Sequence, residues 1–329
     1  MNAEKFKFRT EVSIERFPFT INHKTNVFLA GSCFADMIGT KMNFNKFNCI
    51  SNPYGNIYNP YSLFSLLRNS LTDREPDESS YIENQESWFN YNFHSEISGK
   101  TIDELKTSIS SINQKTGEFL RKTDFLILTF GTAYVYKLIE GNNIVANCHK
   151  IPSRFFKKEL LSPKEIIDEF EKLQKELLRI RPDLKVILTV SPVRHLKDTL
   201  TLNNVSKSIL RTAIHYIVES FHNVFYFPSY EIMMDDLRDY RFYKDDLIHP
   251  TEFAEEYIWD KFSTSSFDKD TLVLIGEWEK VSRAINHRAF HPESAAHQNF
   301  LKETYLKLES LNKKADFSEE MRSLKEKII

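Results

Sequence analysis

Two short segments, far apart along the chain, carry side chains that could perform acyl-transfer chemistry. The first is Gly31-Ser32-Cys33, which follows an apolar stretch and precedes a helical pattern. A nucleophile at a sharp strand-to-helix turn is exposed at the edge of a sheet, beside the unpaired N–H groups and positive potential of the helix N-terminus. That potential lowers the pKa of a thiol from about 8.5 to between roughly 3.5 and 7.5. The turn predicts a nucleophile; a small buried apolar cysteine is the alternative.

The second segment is an Asp-x-x-His pair, Asp246 and His249, just before a helix that begins near Thr251. At this spacing on a turn, the carboxylate accepts a hydrogen bond from one imidazole nitrogen while the other nitrogen faces a substrate. The pair therefore predicts a general base. A solvated loop histidine beside a helix N-cap is the competing interpretation.

Alternating strand and helix patterns place both segments in an α/β fold. Apolar runs rich in Val, Ile, Leu and Phe predict buried parallel strands at residues 27–30, 47–50, 124–130, 185–190 and 224–227. Amphipathic patterns predict helices at residues 101–119, 163–180 and 205–221. We expect a three-layer α/β/α sandwich with a mostly parallel, flavodoxin-like sheet and functional residues beyond the carboxyl ends of its strands.

The domain organisation follows from the stretches that leave this pattern. Residues 1–263 are predicted to form the main domain, with insertions at about 71–100 and 133–150, the second a hairpin around Gly141. Residues 264–329 are predicted to form a helical extension that includes a helix at 299–313 and a charged tail from Ser318. Its side chains Tyr305, Leu308 and Leu311 could pack against a second copy of the chain.

Composition excludes several classes of function. The 44 basic and 46 acidic side chains give a net charge of −2, which disfavours nucleic-acid binding, and the 8 glycines form no phosphate-binding loop. No apolar stretch is long enough to cross a membrane, and the first 17 residues lack the apolar core of a signal peptide, so we expect a cytoplasmic protein. Three cysteines, with Cys148 and His149 lacking spaced partners, support neither a disulfide scaffold nor a metal site. No cofactor is expected.

An ordered set of motifs resembles the GSCFA family within the SGNH, or GDSL-type, hydrolase superfamily. The resemblance extends from about residue 28 to residue 262 and rests on the motifs GSCFA (31–35), NPYGNIYNP (52–60), TFGTAYVY (129–136), NCHK (147–150), SPVRH (191–195) and DDLRDYRFY (235–243). It implies an SGNH-type sheet and an acyl-transfer or ester-hydrolysis site. Superposition on the superfamily's Gly-Asp-Ser places Cys33 at the nucleophile, with Ser32 as the second candidate.

The resemblance also implies oxyanion-stabilising groups. The superfamily's glycine block falls on Gly55, whose N–H would donate beside that of Cys33. The third block normally carries an asparagine donor, but Ala133 stands at that position, so Thr132 or Asn56 would have to supply a hydrogen bond. This departure also fits a chain that has lost its catalytic activity.

Arg194 and His195 follow a predicted strand and are candidates for binding a polar or anionic part of the substrate. Alternatively, Arg194 pairs with the acidic residues between Asp235 and Asp239. His94 and His149 lie in the predicted insertions, where a structural role is the stronger expectation.

These observations predict an esterase, deacylase or acyltransferase that acts on a small-molecule or carbohydrate-like acyl ester. The aromatic residues of the motifs favour the carbohydrate-like class, although aromatic side chains more often fill cores. The alternative is a non-catalytic ligand-binding module that retains the fold.

Overall fold

The computed structural model describes residues 9–329, so the start of the N-terminal stretch used to predict the compartment lies outside the described residues. The strands are β1 (Asn26–Gly31), β2 (Asn48–Ser51), β3 (Tyr81–Asn84), β4 (Ser87–Asn90), β5 (Phe125–Phe130), β6 (Tyr134–Leu138), β7 (Ile144–Val145), β8 (Phe156–Leu160), β9 (Lys185–Val190) and β10 (Val224–Tyr226). The helices are α1 (Cys33–Phe44), α2 (Pro60–Leu71), α3 (Ile102–Leu120), α4 (Pro163–Ile180), α5 (Thr199–Ser220), α6 (Ser229–Glu231), α7 (Glu252–Ser266), α8 (Lys269–Ile285), α9 (Ala295–Asn312) and α10 (Ser318–Lys325).

The central sheet has five parallel strands in the order β10-β9-β5-β1-β2. Alternate side chains of each strand point to opposite faces, and both faces are buried. One face packs against α2, α3, α4 and α5, and the other against α1 and α7. This is the predicted three-layer α/β/α sandwich with a flavodoxin-like strand order.

The helices begin where the sequence provides N-caps. Ser162 and Glu165 form the predicted capping box of α4, with Pro163 at its first position. Helix α5 begins at Thr199, six residues before the predicted start at residue 205. Its first turns were missed because their apolar residues, Leu200 and Leu202, are exposed and add nothing to the buried stripe.

The two insertions form small antiparallel sheets. Strands β3 and β4 make a hairpin in the first insertion. The predicted hairpin around Gly141 joins β6 and β7, and β8 adds a third strand that was not predicted. The sequence pattern of β8 does not indicate a strand, because only Phe156 of its five residues is buried.

The C-terminal helices pack around their own apolar cluster and on the end of α1. The indole of Trp278 donates to Phe44 O at 2.8 Å, and its ring contacts that of Phe317. Leu308 and Leu311 are buried in this cluster, so they are not available to a second copy of the chain. Association of two copies through this region stays a prediction, and so does the division at residue 264.

The backbone conformation at the end of β1 leads to a prediction about stability. Gly31 has φ +135°, and a Cβ there would lie 2.0 Å from Thr129 O, whereas a Cβ at Gly276 in α8 would meet no atom within 4 Å. We expect Gly31→Ala to lower the free energy of unfolding by at least about 2 kcal/mol, since strain and overpacking add. The control Gly276→Ala should raise it by about 0.5–1 kcal/mol, because alanine favours a helix. Urea denaturation measures both, and equal effects of the two substitutions would contradict this account.

Candidate active site

The candidate site lies along the carboxyl edge of the central sheet. Because all five strands are parallel, the segments that follow them meet at that edge. Cys33 follows β1, Asn56 follows β2, Thr132 follows β5, and His195 follows β9. His249 lies beyond β10, in the loop that precedes α7. Topology alone therefore brings five of the predicted segments to one side of the molecule.

Ser32 and Cys33 have different environments at the start of α1. Ser32 is the N-cap: its hydroxyl accepts from the N–H of Phe34 at 3.4 Å, and only 1% of the residue is exposed. Its own N–H donates to Thr129 O at 3.0 Å. Cys33 is the first helical residue and is half-buried. The more accessible of the two side chains is therefore the thiol.

The thiol of Cys33 is not activated in the resting structure. Burial raises its pKa, and the nearby carboxylate of Asp36 raises it further, while the charge of Lys207 lowers it. The prediction that the helix N-terminus lowers this pKa is therefore wrong: desolvation of the thiolate outweighs the field of the helix end. Cys33 needs a base to react.

Asp246 and His249 form the predicted hydrogen-bonded pair. Nδ1 of His249 lies 2.7 Å from Oδ2 of Asp246, whose Oδ1 accepts from the N–H groups of Ile248 and His249 at 2.8 and 3.0 Å. These hydrogen bonds from His249 and Ile248 lower the pKa of the Asp246 carboxyl, which stays ionised. The carboxylate orients the imidazole, and within residues 9–329 no hydrogen bond engages Nε2. The ring is suited to accept a proton there.

Arg194 holds the loop that carries this pair. Its N–H donates to Ile248 O, and its Nη1 donates to Leu247 O, both at 3.3 Å. Its guanidinium also lies 3.8 Å from the centre of the Tyr243 ring. In the described part of the chain Arg194 forms no ion pair with the 235–239 segment. Its contacts position the His249 loop.

The segment after β2 does not offer the expected oxyanion donor. The N–H of Gly55 donates to Asn52 O at 2.8 Å and closes a turn, so it is already used. Asn52 holds the segment in place: its Oδ1 accepts from Gly31 N–H at 2.8 Å, and its Nδ2 donates to Asp36 at 2.7 Å and to Asn56 Oδ1 at 2.9 Å. Asn56 contacts the Asp36 carboxylate as well. Both amides therefore help to bind Asp36.

Thr132 and Ala133 are likewise engaged in structural contacts. The hydroxyl of Thr132 pairs with that of Ser206 at 3.0 Å and accepts from the N–H of Tyr134 at 3.1 Å. Ala133 is fully buried, and its N–H donates to the Ser206 hydroxyl at 2.7 Å. In this arrangement neither residue replaces the missing asparagine donor.

His195 is the neutral imidazole of the site. A Cβ at Gly131 would lie 3.1 Å from its Nε2, and the Tyr58 ring meets it edge-on at 5.4 Å between centroids. Burial lowers the pKa of His195 to about 3, and the ammonium form of Lys207 contributes to this shift. Within the described residues no hydrogen bond engages either ring nitrogen, so the neutral ring can donate one N–H to a ligand.

Cys33 and His249 lie on the same edge but make no hydrogen bond in the described residues. Lys207 acts on the pKa of Cys33 and, with His249, on that of His195. The segments that follow β1 and β9 and the loop before α7 lie along the same carboxyl edge of the sheet.

The other predicted histidines have different roles. His149 is buried, with Nε2 2.9 Å from Asn90 O and Nδ1 3.0 Å from the Ser95 hydroxyl, and it joins the two insertions. His94 packs against Gly55. Among residues 9–329, no three His, Cys, Asp or Glu side chains are grouped closely enough to hold a metal ion. No helix in that part of the chain is long and apolar enough to cross a membrane.

Comparison with known proteins decides the family. The GSCFA family model matches residues 26–262, which is most of the chain. The chain belongs to the GSCFA family. A second model, the C-terminal domain of GSCFA domain proteins, matches residues 278–329.

Solved structures are similar to this GSCFA protein only at a distance. A candidate platelet activating factor from Streptococcus pneumonia is 12% identical, with a TM-score of 0.37, covering 73% of this chain and 81% of that one. A carbohydrate esterase family 3 protein from Talaromyces cellulolyticus is 10% identical, with a TM-score of 0.36, covering 77% and 99%. A search of curated proteins finds no match.

Two residues of this GSCFA site were missed by sequence analysis. Asp36 lies one helical turn after Cys33, a spacing that places both side chains on one face of α1. Lys207 occupies the apolar stripe of α5 formed by Leu210, Ile214 and Ile217, where a charged residue is unexpected. For Lys207 the signal is a charged residue at a position that the helical period assigns to the buried side, and for Asp36 it is the one-turn spacing from Cys33.

The contacts of Arg194 lead to a prediction about loop stability. We expect Arg194→Met to accelerate amide hydrogen exchange in residues 244–249 by up to about tenfold, because losing one hydrogen bond costs roughly 0.5–1.5 kcal/mol. Exchange in β9 should stay unchanged. The matched control is Arg238→Met, since Arg238 is 80% exposed and pairs with Asp235 at 3.7 Å. Equal exchange in the two variants would show that Arg194 does not hold the loop.

Proposed function

We propose that this protein hydrolyses or transfers acyl groups of esters, with Cys33 as nucleophile and His249 as general base. The Asp246–His249 pair carries the proposal, because no hydrogen bond within residues 9–329 engages its Nε2 and its loop lies on the sheet edge that presents Cys33. The neighbouring candidate, Ser32, is buried and used as a helix cap. The same arrangement supports placing the chain in the SGNH-type superfamily.

The reaction proceeds in two acyl-transfer steps. Nε2 of His249 accepts the thiol proton as Sγ of Cys33 forms a bond to the acyl carbon, giving a tetrahedral oxyanion. The C–O bond then breaks, and His249 returns the proton to the leaving alkoxide, which leaves a thioester on Cys33. Water attacks the thioester while His249 takes its proton, and the thiol is restored as the carboxylic acid leaves. An alcohol in place of water gives acyl transfer.

The raised pKa of Cys33 makes the base necessary. The resting side chain is a thiol, so attack requires His249 to remove the proton as substrate binds. The two groups make no hydrogen bond in the free structure. Catalytic hydrogen bonds commonly shorten only in the substrate complex.

Two groups are placed to stabilise the oxyanion. As the first residue of α1, Cys33 has no intrahelical acceptor for its N–H. The neutral ring of His195 supplies a second N–H, in the region of Gly131 where the usual asparagine donor is absent. The two histidines thus have different roles. His249 is oriented by a carboxylate and transfers protons, whereas His195 stays neutral and donates a hydrogen bond.

The substrate class that we propose is an acyl ester of a small polar or carbohydrate-like alcohol. Tyr58 meets the ring of His195 at the site, where its face is suited to stack on a sugar. Tyr54, another motif aromatic, is buried with its hydroxyl on Ser70 and belongs to the core. Only part of the aromatic content therefore supports this class.

A non-catalytic ligand-binding module is the second candidate. The observation that favours it is the engagement of the N–H groups of Gly55 and Ala133, which leaves fewer backbone donors than the superfamily pattern supplies. Such a module would bind esters without turning them over.

Hydrolysis of a panel of activated acyl esters tests the proposed nucleophile and base. We expect Cys33→Ala and His249→Ala to lower kcat/KM by at least about 10³-fold, the scale of covalent and general-base catalysis. Ser32→Ala should retain activity and lose roughly 1 kcal/mol of stability, as expected for an N-cap. Cys49→Ala is the matched control, since Cys49 is also free and half-buried. If no ester is hydrolysed, or if Cys33→Ala retains full activity, the proposal fails and the binding module is favoured.

The role of His195 gives a separate prediction. We expect His195→Ala to lower kcat by about 10²–10³-fold with KM nearly unchanged, because the lost donor acts in the transition state. The pKa of His195 is lowered to about 3, so the group stays neutral at higher pH and the pH profile above about pH 5 should keep its shape. The control is His94→Ala, because His94 packs against Gly55 and has no assigned role in the reaction. An unchanged kcat in His195→Ala, or a shifted pH limb, would contradict this role.

A further inference from the structure

Lys207 is a buried lysine that the proposed reaction does not use. It lies in α5 with 1% of its surface exposed, in line with Leu210, Ile214 and Ile217. Burying an ammonium costs several kcal/mol unless hydrogen bonds and nearby charges compensate. A lysine at such a position therefore requires specific partners.

Its partners are the ends of two strands. Nζ donates to Gly131 O at 2.8 Å and to Ser191 O at 2.7 Å, the residues that directly follow β5 and β9. Within residues 9–329, Lys207 forms no ion pair with a carboxylate. Two carbonyl oxygens favour the ammonium over the amine, because the ammonium is the stronger donor. The group thus ties the two strand ends together, and in its ammonium form it is held by carbonyl oxygens.

The strand register brings this charge close to Cys33. Gly31, at the end of β1, pairs with Thr129 of β5, and Lys207 binds Gly131 two residues further on. Cys33 in turn lies two residues beyond Gly31. The ammonium and the thiol therefore both follow the ends of the neighbouring strands β5 and β1, at the same edge of the sheet.

Other charged and titratable groups also act on the pair. Those acting on Cys33 are Asp36 on its own helix and Glu255 on α7, which raise the pKa of the thiol, whereas Lys207 lowers it. The ring of Tyr58, after β2, is a further neighbour of Cys33.

The groups around Lys207 complete this environment. They are Cys33, the neutral imidazole of His195, and the Tyr230 ring, whose centre lies 5.9 Å from Nζ. Burial lowers the pKa of Lys207 to about 7, and a thiolate at Cys33 raises it. Each group therefore favours the charged form of the other.

We propose that Lys207 is a positioning residue that holds the ends of β5 and β9 at the site and whose ammonium stabilises the Cys33 thiolate. It transfers no proton: the thiol proton passes to His249 in the enzymatic reaction, or to solvent in the free protein. The inference rests on the proposed function only in taking Cys33 as the reacting group.

The first test is the pH dependence of alkylation by iodoacetamide, followed for each cysteine by peptide mass spectrometry. In this reaction the thiolate sulfur forms a bond to carbon and iodide leaves, so the rate follows the thiolate population. In Lys207→Met, Cys33 should react at least tenfold more slowly at pH 7 than in the wild type, with its midpoint at least one pH unit higher. Cys49 and Cys148 are internal controls, because burial raises their pKa values to about 12 and about 11. Superimposable Cys33 profiles in the two proteins would overturn the proposal.

A matched variant separates this effect from a general change of charge. Lys158→Met removes a cation that acts on His195 but not on Cys33. Its Cys33 profile should match the wild type. A shift as large as that of Lys207→Met would overturn the specific role of Lys207.

The second test does not depend on the folding of Lys207→Met. The titration of Lys207 Nζ, followed by nitrogen NMR with labelled lysine, should lie at higher pH in Cys33→Asp, which places a permanent negative charge at this position, than in the uncharged control Cys33→Asn, because electrostatic coupling between two sites is reciprocal. Equal midpoints in these two variants would overturn the proposal even if the lysine variant cannot be purified.

The two proposals fail separately. If no ester is hydrolysed but alkylation of Cys33 still depends on Lys207, the proposed function fails and this inference stands. If ester hydrolysis requires Cys33 but the alkylation profile of Cys33 is the same in the wild type and in Lys207→Met, only this inference fails.

Discussion

The close approach of β1 to β5 at Gly31 is the constraint on which the rest of the site depends. The absence of a side chain at Gly31 lets its backbone lie against Thr129 O, which also accepts the N–H of Ser32. The N–H of Gly31 is bound by the Asn52 side chain, and its carbonyl accepts from Ile57 N–H at 2.8 Å. One residue thus fixes β1, β5 and the segment after β2 relative to one another. These contacts hold the start of α1, which carries the thiol of Cys33.

The protonation of each group in the site depends on its burial and on the polar and charged groups beside it. His249 is half-exposed and paired with a carboxylate, so it can gain a proton, whereas His195 is buried beside cations and stays neutral. The buried Lys207 is bound by two carbonyl oxygens and, among the described residues, forms no salt bridge. Similar side chains therefore acquire different roles from burial and partners, and the motif that contains them does not determine these roles.

The sequence predicts the layers well and the local chemistry less well. Parallel strands and α4 were found because periodicity and capping are local properties. The pKa of Cys33 was predicted in the wrong direction, because a rule about helix ends says nothing about how deeply the tertiary fold buries the thiol. Gly55 was assigned a donor role that its turn with Asn52 removes, and Lys207 was overlooked because its acceptors come from two distant strands. Fold and segment placement follow from pattern, whereas protonation and hydrogen-bond availability depend on long-range contacts.

In the proposed reaction Cys33 receives the acyl group, and trapping the acylated protein tests this step. The protein is mixed with an activated acyl ester, quenched in acid within seconds, and digested for peptide mass spectrometry. The peptide that contains Cys33 should gain the mass of one acyl group, while Cys49 and Cys148 stay unmodified. The adduct should disappear on longer incubation in water. An unmodified Cys33, or equal acylation of all three cysteines, would contradict it.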